Sequence, residues 1–433
     1  MAQAVEPPSG TRDFLGDDVR RRRTAFDRVS KVFEHYGFDP LETPAFERLE
    51  VFAGKLGEEA SSLIFKIMKR GAKEATGEAD FALRYDHTVP TVRAVVTHGS
   101  RLPSPFKRYT IGNVWRADRA ARGRFREFVQ CDIDIFGSAS PLADAEIVWA
   151  INGGLEALGV EQFTFQINSR KALAGLLEAY GIPAELGTKV LGSLDKLDKA
   201  TPDVVVAELV ERGLTLPVAE GLVADVTAPD TEPVRKQLDT TERGRAGLAE
   251  VDRLLALTKN LPAGRVRFTP RMVRGLDYYT GPIWEVAADG FPGSIASGGR
   301  YDELVAKLGG PDMPACGGSI GIERILAIQE AEAPAERGLD VALTVLGADD
   351  EVMRLASQLR AHGLRTGVYL GTSGKLAKQM KWANEAGARW VLLYGPAEQD
   401  CGLVTVREMQ TGEQEQLALA EVAATLGERV ANG

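Results

Sequence analysis

The stretch that most constrains this chain runs from Phe106 to Gly137, FKRYTIGNVWRADRAARGRFREFVQCDIDIFG. From Arg126 onward it alternates: Val129, Cys131, Ile133 and Ile135 are apolar, and Phe128, Gln130, Asp132 and Asp134 stand between them. Successive side chains of a strand point to opposite faces, so one face is made for a core and the other carries two carboxylates and an amide. A sheet covered on one side accounts for the apolar face and leaves the acidic face unexplained. Upstream, Lys107 to Arg126 holds seven Lys or Arg and one Asp, an excess of six positive charges in a chain of net charge −9. Guanidinium groups present a planar fork of donors that suits phosphate. The hairpin therefore reads as a phosphate clamp above an acidic floor, which fits a nucleotide together with a small cationic partner. A solvated hairpin whose charges serve only solubility is the competing reading.

Composition narrows the classes. A chain of 433 residues has room for roughly three domains and a sizeable core. The negative balance argues against a general nucleic-acid coat and is compatible with local basic patches. Cys131, Cys316 and Cys401 are far apart, with neither metal spacing nor a disulfide framework, and the four histidines are scattered. These features point to a cytoplasmic protein without a dedicated metal site. The N-terminus lacks a secretory layout, and no apolar run is long enough for a bilayer.

Along the chain, Asp17 and Asp18 open a helix that Gly37 ends, with Phe26, Val29, Val32, Phe33 and Tyr36 at helical spacing. Arg20 to Arg23 read as a solvated face, with RNA phosphates as the alternative. Pro40 and Pro44 in GFDPLETPAFE predict an edge strand or an interface. FALRYDHTVPTVR, from Phe81, reads as strand, turn and helix. Asp86 and Thr88 lie at the helix start, where an Asp is either a cap or a ligand; the lone His87 reads as packed or exposed. From about Arg170 to Asn260 the chain is helical in texture. RGLDYYTG, Arg274 to Gly281, can form a pocket wall for an aromatic or imidazole guest, or pack as core. SGGRY, Ser297 to Tyr301, reads as a glycine-rich turn, and ACGGSIGIERILAI runs from a strand through glycines into a helix bearing Arg324. AEAPAERG, Ala331 to Gly338, is a linker by composition. Beyond it, alternating strand and helix patterns predict a small α/β domain with a mixed sheet; Lys375, Lys378 and Lys381 share a helix face that is either solvated or laid against RNA.

Together these stretches resemble, over nearly the whole chain, the histidyl-tRNA synthetases among the class II aminoacyl-tRNA synthetases. GFDPLETPAFE is similar to motif 1, Arg108 to Gly137 to motif 2, and GIERI around Arg324 to motif 3; RGLDYYTG is similar to the loop specific to histidine enzymes. The resemblance implies an α+β fold, an antiparallel sheet flanked by helices, with residues 1–169 and 261–330 forming the catalytic domain. Residues 170–260 would be a helical insertion and 340–433 an anticodon-binding α/β domain. It implies a histidine pocket of Asp86, Thr88, Arg116, Gln130, Asp134, Arg274, Tyr278 and Tyr279. It places ATP against Arg116, Asp118, Arg124, Phe128 and Arg324, with adenine between Phe128 and Arg324. Three positions depart from the family pattern. Asp118 stands where Glu is usual, the loop from Ala117 to Arg124 is short, and His87 replaces an apolar residue or glycine.

The implied reaction activates L-histidine with ATP, Mg2+ entering with the nucleotide, and passes the aminoacyl group to the 3′ end of tRNA(His). Arg116 and Arg274 would be the catalytic cations, stabilising charge on the α-phosphate. The resemblance also implies a homodimer and no membrane partner. The rival reading is a regulatory paralogue of the same fold. Such paralogues usually lose arginines and the C-terminal domain, and this chain keeps Arg116, Arg274, Arg324 and residues 340 to 433.

Overall fold

The computed structural model describes residues 5–52, 62–71, 76–120, 125–273, 278–291, 293–329, 338–347 and 349–431. Two compact units divide the chain, Met1–Ala333 and Pro334–Gly433.

In the first unit the alternating segment is the strand Glu127–Phe136, inside an eight-stranded sheet. It pairs antiparallel with Phe106–Trp115 on one side and with Ala315–Ile320 on the other. Ala296–Arg300, Pro282–Ala288, Phe163–Ser169 and Val266–Phe268 continue the sheet beyond Ala315–Ile320. Asp39–Pro40 runs parallel at the opposite edge, the place where a proline costs no ladder bond. The sheet is thus antiparallel except for a parallel strand at each end.

The apolar set of Glu127–Phe136 is buried as its spacing predicts. Val129, Cys131, Ile133 and Ile135 share one core with Ala25, Val29 and Phe33 of the helix Gly16–His35 and with Ile147, Val148 and Ile151 of the helix Pro141–Ala157. Gly37, at φ +73°, ends the first of these helices in the left-handed conformation that glycine accepts most readily. The run Arg20 to Arg23 is less solvated than expected. Arg20 and Arg21 are paired with Asp17 and Asp18 one turn earlier. Arg22 lies on the same stripe as Ala25 and Val29 and is buried against Glu323.

Six helices from Arg170–Ala179 to Glu242–Thr258 fill the segment between the strands Phe163–Ser169 and Val266–Phe268. A separate three-stranded sheet joins Phe46–Arg48, Ala79–Leu83 and Lys66–Met68. SGGRY is a strand, not a turn: Ala296–Arg300 sits mid-sheet, and Arg300 is bound to Asp144.

The second unit has a five-stranded mixed sheet. Val341–Leu343 is parallel to both Thr366–Val368 and Trp390–Leu393, and Leu403–Glu408 and Gln414–Ala418 complete it antiparallel. The strand Gln414–Ala418 and the short helix Pro396–Cys401 were not expected, being polar and brief. Among the described residues no helix is long and apolar enough to cross a membrane.

Candidate active site

The acidic face of Glu127–Phe136 is the floor of a cavity of about 80 Å³, lined by Asp86, Thr88, Arg116, Gln130, Asp132, Asp134, Tyr278, Tyr279, Tyr301 and Ser319, with Ser297, Gly317 and Gly318. Asp132 is 4 % exposed and Asp134 2 %, so the solvated-hairpin reading does not hold for this floor. The glycines follow from it. A Cβ at Gly317, directly opposite Asp134, would come within 2.0 Å of that carboxylate, and one at Gly299 would meet the Tyr279 ring at 2.8 Å.

Asp86 serves as both cap and open acceptor. Its Oδ1 accepts from the Val89 amide at 3.2 Å at the start of the helix Thr88–His98, and its Oδ2 is buried. Burial pushes its carboxyl up to about 6, against the pull of the Val89 amide and Arg116. Gln130 donates its amide to Ser319 Oγ at 3.1 Å, which turns its carbonyl oxygen away from that partner. Ser319 also hydrogen-bonds Asp132, whose carboxyl burial pushes up to about 7 against the influence of Arg108. Asp86 Oδ2, Gln130 Oε1 and Asp132 Oδ1 are buried acceptors with no hydrogen-bond partner among the described residues.

Asp134 differs. Its Oδ1 takes the Tyr301 hydroxyl and its Oδ2 lies against Arg108, the residue directly across the strand pair. Burial raises its carboxyl, and Arg108 and Tyr301 draw it back. Arg108 corrects the picture of the hairpin as a clamp: it is fully buried, facing the floor. Lys107 binds Glu146, and Arg126 donates to the Asp118 carbonyl at 2.8 Å, so neither reaches toward phosphate.

Arg116 reaches the cavity from the end of Phe106–Trp115. Its Nε donates to the Tyr85 carbonyl at 3.0 Å, and its guanidinium stands 5.1 Å from the centre of the Phe128 ring. Tyr278 and Tyr279 form the wall, their ring centres 5.0 Å apart and 5.7 and 6.3 Å from Tyr301. Thr88 hydrogen-bonds Tyr278, and burial holds both wall phenols above their ordinary value. Arg324 opens the helix Ile322–Gln329 and donates to the Ser294 carbonyl at 2.5 Å. Its neighbour Glu323 accepts from the Val129 amide at 3.2 Å, which sets this helix start beside Phe128. Arg274 and Arg124 lie outside the described residues. His87 is fully buried behind the floor. Its Nε2 meets the Gly112 carbonyl at 3.0 Å, and burial with Arg84 nearby lowers it to about 3, so the ring is neutral and packed.

Glu323 is also the anchor of the N-terminal segment. It takes Arg22 at 2.6 Å and Arg12 at 2.7 Å. Arg12 lies 3.5 Å above the Phe125 ring, and the Gly10 carbonyl accepts the Arg126 amide at 2.8 Å. The segment is thereby strapped across the base of the hairpin.

The structure brings Asp86, Thr88, Arg116, Gln130, Asp134, Tyr278 and Tyr279 around one cavity. The Histidyl-tRNA synthetase family pattern matches residues 10–325, and an Anticodon binding domain pattern matches residues 340–429. The chain belongs to the histidyl-tRNA synthetase family. It is 38% identical to a histidine–tRNA ligase of Gloeobacter violaceus over 97% of this chain and 98% of that one. To a histidine–tRNA ligase of Aeropyrum pernix it is 39% identical, covering 98% and 96%. The crystal structure of histidyl-tRNA synthetase from a Nostoc species superposes with a TM-score of 0.81 at 28% identity, covering 99% of this chain and 100% of that one. The fold is that of the class II synthetases, and the activity is ATP-dependent ligation of histidine to tRNA.

Six lining residues lay outside the expected set: Asp132, Tyr301 and Ser319, with Ser297, Gly317 and Gly318. Asp132 shares strand parity with Gln130 and Asp134, a signal present in the sequence. Tyr301 and Ser319 reach the floor only through the pairing of distant strands.

Proposed function

We propose that this cavity binds L-histidine and that ATP lies over its Arg116 side. The carboxylate of histidine attacks the α-phosphorus of ATP, forming the adenylate and releasing pyrophosphate. A terminal ribose hydroxyl of tRNA then attacks the activated carbonyl and releases AMP. Buried acceptors without hydrogen-bond donors on Asp86, Gln130 and Asp132, with Asp134 Oδ2 only ion-paired, call for a ligand rich in N–H, and an amino acid with an ammonium and an imidazole supplies it. That is the observation carrying the reading. Asp86 and Gln130 receive those groups through their open oxygens, Asp134, tied to Tyr301 and Arg108, lies in the floor beside them, and Thr88, Tyr278 and Tyr279 shape the wall. A site of buried polar groups rejects analogues that leave them unpaired, by about 10⁴ to 10⁵ in comparable enzymes.

Arg116 is the cation placed to meet the histidine carboxylate and the developing charge on the α-phosphate. Arg274 is its counterpart, and Arg124 and Asp118 extend the nucleotide site, by their match to the family motifs. Phe128 and Arg324 would hold adenine between them, supported by the tie from Glu323 to Val129. Mg2+ arrives with ATP as part of the substrate. Residues 1–169 and 261–330 act as the catalytic domain, 170–260 as a helical insertion, and 340–433 reads the anticodon of tRNA(His). The enzyme works in the cytoplasm as a homodimer. Phe46, Phe81 and Met68 support this assembly. They lie 50 %, 40 % and 53 % exposed on the three-stranded sheet that motif 1 leads into, an apolar face suited to a second copy.

Histidine-dependent exchange of labelled pyrophosphate into ATP tests the reading. No exchange, or exchange driven by another amino acid, defeats it, and a monomer in sedimentation would remove the dimer.

A further inference from the structure

We propose that Asp132 is a further histidine-binding residue of this cavity, its open carboxylate oxygen accepting an N–H of the amino acid. The inference rests on the reading that the cavity takes histidine, and it adds a residue outside the pocket set that the resemblance implied.

Its basis is the difference between the two floor carboxylates. Asp134 has one oxygen hydrogen-bonded by Tyr301 and the other in an ion pair with Arg108 that makes no hydrogen bond. Asp132 has one oxygen on Ser319, which in turn accepts from Gln130, and its Oδ1 is buried in the cavity with no partner among the described residues. The chain from Gln130 through Ser319 to Asp132 therefore does two things. It fixes the direction of the Gln130 amide, and it leaves two acceptors, one neutral and one anionic, side by side on alternate residues of one strand. Arg108 is the main compensating cation and Arg84 a second, with Asp86 and Asp134 as the other carboxylates felt by Asp132. Arg116 and the two wall tyrosines lie around the same cavity. A buried carboxylate kept open in this way weakens the empty protein and is satisfied when a cationic donor arrives.

That argument fixes opposite signs for stability and binding. Asp132→Asn in the full chain should raise or preserve the melting temperature of the ligand-free protein at pH 8, where the carboxylate is ionised. It should weaken histidine binding on the order of 10- to 100-fold, the loss of a hydrogen bond to a charged group. In pyrophosphate exchange the KM for histidine should rise by the same factor, kcat should fall by much less, and the KM for ATP should stay within about twofold, because the affected partner belongs to the amino acid alone. A histidine KM within twofold of wild type overturns the proposal. So does a fall in ligand-free melting temperature with both substrates weakened alike, the signature of a purely structural carboxylate. If Asp132→Asn does not fold, Ser319→Ala decides: removing the hydroxyl that orients Asp132 and Gln130 should raise the histidine KM several-fold and leave ATP alone, and an unchanged histidine KM sinks the idea. A wild-type protein that shows no histidine-induced rise in melting temperature defeats the reading of the cavity instead.

Discussion

Two glutamines, one in each unit, are treated in opposite ways. In the C-terminal unit Gln379, 1 % exposed, is closed on itself: its Oε1 accepts from the Val345 amide at 2.7 Å, and its Nε2 donates to the Val345 and Ser373 carbonyls at 2.8 and 3.1 Å. Thr344 donates to Leu392, and Asp340 accepts from the Arg365 amide. In the first unit Gln130 uses its amide on Ser319 and leaves its carbonyl oxygen without a donor, and Asp86 and Asp132 each keep an oxygen in the same state. The same residue type thus marks architecture in one place and the proposed binding site in the other. What separates the two cases is completeness of hydrogen bonding, since the amide oxygen is buried in both.

That distinction can be attacked from several directions. The largest effect is expected at Arg116, proposed above to stabilise the transition state: Arg116→Ala should cut kcat in histidine-dependent exchange by about 10²- to 10³-fold or more, with ligand-free unfolding little altered. Glu323 stands at the other extreme, a buried ion pair whose partners are all in place. Glu323→Ala strands Arg22 and should cost roughly 3–5 kcal/mol of stability in urea unfolding. The two glutamines give the direct contrast. Gln379→Ala leaves backbone groups of Val345 unsatisfied and should destabilise the C-terminal unit by about 2–3 kcal/mol, with histidine KM unmoved. Gln130→Ala should raise histidine KM by about tenfold with a much smaller change in stability. Equal stability losses at both positions would erase the comparison.

The last effect is confined to acid pH and belongs to His87. Its folded value, about 3, lies below the ordinary 6.5, so the stability it contributes is present above 6.5 and is lost as pH falls from there toward 3. His87→Leu should make the melting temperature less steep in pH between 6 and 4. An unchanged slope would mean that other groups carry the acid sensitivity.

Much of this was readable before any coordinates. The two-residue alternation of Glu127–Phe136 identifies both the core side and the acidic floor, because strand geometry allows no other sorting. The cap position of Asp86 and the paired tyrosines were equally plain. What failed to show was the direction of individual charges. Arg108 sits among basic neighbours, and its inward turn depends on facing Asp134 across the hairpin, which requires knowing the register. Arg22 hides in a run of four arginines, although its spacing to Ala25 and Val29 places it on the buried stripe. Ser319 and Tyr301 are invisible locally, since their place beside the floor comes from strands far away in the chain.

The strap from Gly10 to Phe14 has a practical corollary for anyone handling the protein. Its arginine and its carbonyl are fastened to the same hairpin and helix start that the nucleotide is expected to use. A protease clip after Phe14, or an expression clone that begins at Leu15, would therefore disturb the end of the centre where ATP is proposed to lie while leaving the proposed catalytic side chains in the chain. Fusion partners at that end belong ahead of Pro7, on a spacer long enough to leave the strap seated.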